Sequence, residues 1–130
     1  MGTRFLLDTN TVIYYTKNDL SENAAAFLDT QIYKGVFLSV ISEIELLGWQ
    51  FPSVETETIM ETFINDCIIV KLSRNVVLKA IAIRKTRRIK LPDAIIAATA
   101  IVHDLTLISR NDSDFKNILG LKYLNPFTDL

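Results

Sequence analysis

The sequence predicts an α/β fold: a central parallel sheet of about five strands with helices on both faces. Three observations point there. Short β-branched or aromatic runs recur along the chain, and longer stretches with apolar residues at helical spacing separate them. No internal repeat, low-complexity tract or Pro/Gly-rich linker interrupts the alternation. Strands alternating with helices imply a parallel sheet, because the crossover helices bury their apolar stripes on its two faces. With 130 residues, 49% hydrophobic and 22% charged, the chain is expected to form one domain over residues 1–130.

Each element has its own signal. "RFLLD" (Arg4 to Asp8) is a short apolar run ending in an acid, as a buried strand does. "VIYYT" begins a short helix or turn, and "ENAAAFLDTQIYK" carries Ala25, Leu28 and Ile32 at helical spacing until Gly35 stops it. "VFLSV" predicts the second strand, "SEIELLGWQ" a helix, and "SVETETIMETFINDC" another helix with Ile59, Phe63 and Ile64 on one side. "IIVKL" (Ile68 to Leu72) is the third strand, and "NVVLKAIAIRKTRR" a helix with a basic tail. "LPDAIIAATA" follows, so apolar on every side that it should be buried. "LTLIS" (Leu105 to Ser109) is the fourth strand, "DFKNIL" a short helix and "LKYLN" a fifth strand.

Composition narrows the chemistry. A net charge of −1 offers no overall attraction for nucleic acid, so any such case must come from local patterning. One cysteine, Cys67, excludes an internal disulfide and a multi-cysteine zinc site, and one histidine, His103, argues against catalysis by an imidazole pair. A hydrolase of this composition must lean on carboxylates, which are hard oxygen ligands suited to Mg²⁺ or Mn²⁺. "MGTRFLLDTN" lacks a signal-peptide core, and no run reaches the ~18 apolar residues of a membrane span, so a soluble cytoplasmic protein is expected.

Four acids stand at strand ends or helix starts. Asp8 closes "FLLD" and sits with Thr9 and Asn10, an oxygen-bearing trio that also suits a turn. Glu45 fits a capping box with Ser42, yet shares a helical stripe with Ile41, Ile44 and Gly48 on the expected core side; Glu43 competes with it. Asp93 follows Pro92 at a helix start, where an acid gains roughly 0.3–1 kcal/mol from the helix dipole. Asp114 lies in a first helical turn capped by Asn111, and Asp112 could serve there too. In open parallel sheets ligands bind at the carboxyl edge, where both Asp8 and Asp114 are expected. Clustered carboxylates raise one another's pKa, and a divalent cation relieves that repulsion.

"LLDTN", "SVISEIELLG", "LPDAIIAATA" and "LISRNDSDF", in this order and spacing, resemble the four motifs of PIN-domain ribonucleases, with the VapC-type toxins of toxin–antitoxin pairs the nearest in pattern. The resemblance runs from Phe5 to about Phe127 and implies a PIN-like three-layer sandwich. Position by position, it places the family's acids on Asp8, Glu45, Asp93 and Asp114, although "ELLG" is one residue shorter than the family's pattern and leaves Glu43 in contention. It makes Asn10, Ser109 and Asn111 accessory polar groups and Asp112 a neighbour or substitute ligand. The implied activity is Mg²⁺- or Mn²⁺-dependent hydrolysis of RNA to 5′-phosphate and 3′-hydroxyl ends. In that scheme Asp8, Asp93 and Asp114 hold metal, and Glu45 is a ligand or a water-orienting base. Implied partners are RNA, a cognate antitoxin and a second copy of the chain.

Two further features fit. Between Cys67 and Pro92 there is no acid, and Arg84, Lys85, Arg87, Arg88 and Lys90 precede Asp93 as a candidate lip for phosphate, or as a solvated helix end. "IELLGWQF" carries Leu46, Leu47, Trp49 and Phe51, which are either core or a partner surface. An aspartyl-nucleophile phosphatase would want an acid at Asn10, and a receiver domain would want paired acids beside Asp8, so both are disfavoured. The remaining rival is a catalytically silent PIN-like module that binds RNA or protein.

Overall fold

The computed structural model describes residues 2–130. Five three-residue strands, β1 (Phe5–Leu7), β2 (Phe37–Ser39), β3 (Ile68–Val70), β4 (Thr106–Ile108) and β5 (Lys122–Leu124), form one sheet in the order β3-β2-β1-β4-β5. Every pairing is parallel, with Leu6 opposite Phe37 and Leu107, and Leu7 opposite Leu38 and Ile108. The predicted strands are all present, each trimmed at one or both ends.

Alternation along the strands divides the core in two. Leu6 and Leu107 face one side, where they pack with Val76, Ala80 and Ile83 of α5 (Arg74–Thr86), the apolar α6 (Leu91–Val102), and Phe115 of α7 (Asp112–Phe115). Leu7, Leu38 and Ile108 face the other. There they meet Val12 of α1 (Thr9–Thr16), Leu28 of α2 (Glu22–Lys34), Leu46 of α3 (Val40–Leu47), and Met60 and Ile64 of α4 (Val54–Asn65). The molecule is the three-layer sandwich that the alternation predicts. Residues 94–100 of α6 are all buried, as their lack of a polar face requires. Each fully buried Leu or Ile contributes roughly 1.5–3 kcal/mol, so this double-sided burial is the main stabilising term.

Helix starts follow their capping residues. Side chains of Asp8, Ser21, Ser39, Ser53, Ser73 and Asn111 cap α1, α2, α3, α4, α5 and α7, while α6 begins at Lys90 without a side-chain cap. Gly35 ends α2 at φ 105, a conformation that favours glycine.

Several local expectations change. The Ser42–Glu45 capping box does not form, because Ser39 caps α3 and Ser42 lies buried inside the helix. The core side of α3 carries Ser42 and Leu46, not the stripe through Ile44, which is 62% exposed. On α4 Met60 and Ile64 face the core and Ile59 is exposed. On α2 the fully buried alanine is Ala24, one residue before Ala25. The short helix after β4 covers residues 112–115, because Asn111 caps it two residues earlier than "DFKNIL" suggests. Leu46 is core, whereas Trp49 is 55% exposed and stacks edge-on against Phe51 at 5.2 Å. Among the described residues, no helix is long and apolar enough to cross a membrane.

Candidate active site

The sheet order reverses at β1, which has β2 on one side and β4 on the other. Chains leaving β1 and β4 therefore turn apart at the carboxyl edge and open a crevice between them. Asp8 is the first residue after β1, and its N–H donates to Ile108 O at 3.1 Å. Its side chain is only 5% exposed. Asp8 Oδ1 accepts from the Thr11 N–H at 2.7 Å, which caps α1, and Oδ2 accepts from Ser109 Oγ at 2.6 Å. This one carboxylate both caps α1 and lines the space at the carboxyl edge.

The other acids arrive on separate elements. Glu45 extends from α3, where Oε1 accepts from the Thr9 hydroxyl at 2.7 Å, and Thr9 Oγ1 lies 2.9 Å from the buried Ser42 Oγ. Gly48 ends α3; a Cβ there would stand 2.6 Å from Ile44 O, so the close approach itself calls for glycine. Asp93 sits in the first turn of α6. Asp114 sits in α7, where its Oδ2 accepts from Asn111 Nδ2 at 2.6 Å and its N–H donates to Asn111 Oδ1 at 3.3 Å. Asp8, Thr9, Asn10, Glu45, Lys90, Pro92, Asp93, Asn111 and Asp114 line one cleft of about 200 Å³. Glu43 does not line it.

Repulsion and burial act together in this cleft. Burial raises the Asp8 pKa; hydrogen bonds from Ser109 and Thr11 oppose that rise, and the Glu45 charge adds to it. Asp93 is pushed up to about 6, first by burial and then by the Asp114 carboxylate, which lies within hydrogen-bonding reach, with smaller contributions from Asp8 and Glu45. Charge of one sign is thus concentrated with no cation but Lys90 lining the same cleft.

The donor set suits a hard divalent ion. Carboxylates of Asp8, Glu45, Asp93 and Asp114 and the neutral oxygens of Thr9, Asn10 and Asn111 surround the space. His103 caps the far end of α6, and Cys67 lies just before β3. Among the described residues, no three acids, histidines or cysteines close into a ready-made cage. Mg²⁺ does not need one, since it keeps several waters and takes one or two carboxylates directly.

The remaining sequence candidates divide. Lys90 lines the acid cleft, while Arg84, Lys85, Arg87 and Arg88 border a separate depression at the end of α5. Arg87 reaches across to α7, donating to Ser113 O at 3.3 Å. Asp112 turns away from the acids: its Oδ1 accepts from the Tyr123 hydroxyl at 2.6 Å and from Asn125 Nδ2 at 3.0 Å. These bonds lower its pKa. Sequence reasoning missed Ser42, Tyr123 and Asn125, which hold the groups around the cleft, and Tyr14 and Arg110, which line the space beside it. The apolar pattern gave no signal for Ser42, because it put the core side of α3 on Ile41, Ile44 and Gly48.

A five-stranded parallel sheet with an acid cleft at its switch point defines a class of carboxylate-based α/β domains. Residues 5–120 match the family model of the PIN domain, and the chain belongs to that family. PIN-domain VapC toxins are nucleases, and PIN-domain nucleases generally use divalent metal ions. The fold is similar to a chain of the toxin–antitoxin complex from Klebsiella pneumoniae, at 28% identity and a TM-score of 0.74, covering 94% of this chain and 97% of that one. It is similar to a chain of FitAcB from Neisseria gonorrhoeae, at 27% identity and 0.77, covering 95% and 99%. A chain of the DNA-bound VapBC from Salmonella typhimurium shares the fold at 22% identity and 0.82, covering 96% and 99%. No curated protein matches the chain.

Proposed function

We propose that the protein is a metal-dependent endoribonuclease, the toxin of a toxin–antitoxin pair. The observation that carries this reading is the convergence of Asp8, Glu45, Asp93 and Asp114, from four separate elements, on one cleft at the sheet's switch point. Asp8, Asp93 and Asp114 would hold Mg²⁺ or Mn²⁺, which when bound acidifies a water and stabilises the departing 3′-oxygen of RNA.

The chain's own groups do the rest. Ser109 and Thr11 fix both oxygens of Asp8, so its position is set before any ligand arrives. Thr9 holds Glu45 at the cleft, where it orients the attacking water or accepts its proton. Asn111 holds Asp114 in the same way. Lys90 offsets the negative charge of an entering phosphate, with Arg84, Lys85, Arg87 and Arg88 extending positive charge along the RNA. Attack by water rather than by the substrate's 2′-hydroxyl leaves 5′-phosphate and 3′-hydroxyl ends. Labelling of cleaved RNA termini tests this: 5′ ends that need no kinase for ligation are expected, and 2′,3′-cyclic phosphates would contradict it.

The partners follow from the same reading. Exposed Ile44, Trp49 and Val54 supply apolar surface for a second copy of the chain or for a protein antitoxin. The chains to which the fold is similar come from complexes of that kind. The working compartment would be the cytoplasm.

A further inference from the structure

Beside the acid cleft lies a second hollow, of about 300 Å³, lined by Asp8, Asn10, Tyr14, Arg110 and Asn111. It shares Asp8, Asn10 and Asn111 with the acid cleft, so the two spaces adjoin. Arg110 is exposed, yet its guanidinium is placed by two rings. Its carbon stands 4.1 Å from the Phe127 ring centroid and 5.7 Å from that of Tyr14. Those rings meet edge to face at 5.8 Å and 78°. The backbone is tied as well, because Arg110 O accepts from the Asp112 N–H at 3.1 Å and from Asn125 Nδ2 at 3.4 Å.

An arginine so close to a set of acids would ordinarily pair with one. Among the described residues Arg110 forms no ion pair, and Asp112, two positions on, is occupied by Tyr123 and Asn125. Stacking on a ring restrains the guanidinium plane and leaves its in-plane N–H groups free to donate. Such a fork matches the oxygens of a phosphate, bidentately. An anion met here while its neighbour sits at the acids must belong to a chain of phosphates.

We propose that Arg110, seated on Phe127 and Tyr14, is a substrate-positioning residue that binds the RNA phosphate next to the one at the acids. The inference rests on the nuclease reading and deepens it, adding a subsite in the hollow beside the acids, separate from the depression at the basic end of α5. A bound strand would then cross the carboxyl edge of the sheet from Lys90, past the acids, to Arg110.

The test is equilibrium binding of a short single-stranded RNA in EDTA, where no cleavage intrudes, across a series of salt concentrations. Wild type is compared with Arg110→Gln, Arg110→Lys and Lys34→Gln. Lys34 ends α2 before β2 begins, away from the carboxyl edge, and matches the charge change. Arg110→Gln should weaken binding about tenfold at low salt. It should also reduce the slope of log K against log salt by about 0.7, the loss of one phosphate contact. Arg110→Lys should recover the slope but not the full affinity, and Lys34→Gln should change neither. Wild-type affinity and slope in Arg110→Gln would overturn the inference while leaving the nuclease reading intact. Lost affinity with an unchanged slope would also overturn it, because the arginine would then act only through the loop's structure. Failure of the wild type to bind or cut any RNA would remove the nuclease reading and the inference together.

Discussion

Ser109 Oγ donates a 2.6 Å hydrogen bond to Asp8 Oδ2, joining the ends of β4 and β1 across 101 positions of sequence. Both residues are buried, and the bond spans the switch point of the sheet. Ser109→Ala leaves one oxygen of a buried carboxylate unsatisfied, a loss of about 1–3 kcal/mol. Thermal unfolding should show a lower midpoint for this variant, and calorimetric titration with Mn²⁺ should show weaker binding. An unchanged midpoint would mean that water replaces the serine without loss.

Asp93 sets a pH dependence of the metal-free protein. Its folded-state pKa of about 6 lies above its ordinary value, so folding takes up a proton as pH falls through that window. The stability it contributes is fully present below the ordinary carboxylate pKa and is lost as pH rises through about 6. Asp8 is shifted in the same direction, whereas Asp104, bonded to Lys122, and Asp112, bonded to Tyr123, are lowered and titrate below this window. In EDTA the melting temperature should rise between about pH 7.5 and about pH 5, and saturating Mg²⁺ should flatten that rise. An equal rise in Asp93→Asn would assign the effect to other groups.

Cys67 should be inert in the native state. Burial, with the Asp66 charge adding, pushes its thiol up to about 12, and Sγ donates to Phe63 O at 3.4 Å. At about pH 8 only ~1 in 10,000 molecules carries the thiolate that reacts. Iodoacetamide labelling should therefore be far slower in native protein than in denaturant. Complete native labelling at the denatured rate would contradict this placement.

Much of the fold was legible because the sheet is parallel and buried on both faces. Runs such as Phe5–Leu7 and Thr106–Ile108 are short and apolar, and their flanking helices carry recognisable caps and stops. Details on half-buried helices were harder to read. Ser42 and Glu45 have the spacing of a capping box, but Ser39, the last residue of β2, captures the cap first. Asp112 and Asp114 are both first-turn acids of α7, ambiguous by spacing and told apart in sequence only by the motif resemblance. In the structure Tyr123 and Asn125 of the β5 region claim Asp112, while the local cap Asn111 holds Asp114 beside the cleft. Arg110 gave no signal because its environment comes from Tyr14 and Phe127, at opposite ends of the chain.

Hydrolysis of RNA by the four-acid cleft with a divalent metal is the activity proposed for this protein. Its most direct test is incubation of cellular RNA with Mg²⁺ or Mn²⁺, with and without EDTA. Wild type would run beside Asp8→Asn and Asp93→Asn, purified identically. Discrete, EDTA-sensitive cuts by the wild type are expected, with a loss of at least about a hundredfold in each variant. Folded wild-type protein that cuts nothing, or cutting that persists in both variants, would contradict it and favour a PIN-like module that binds without cleaving.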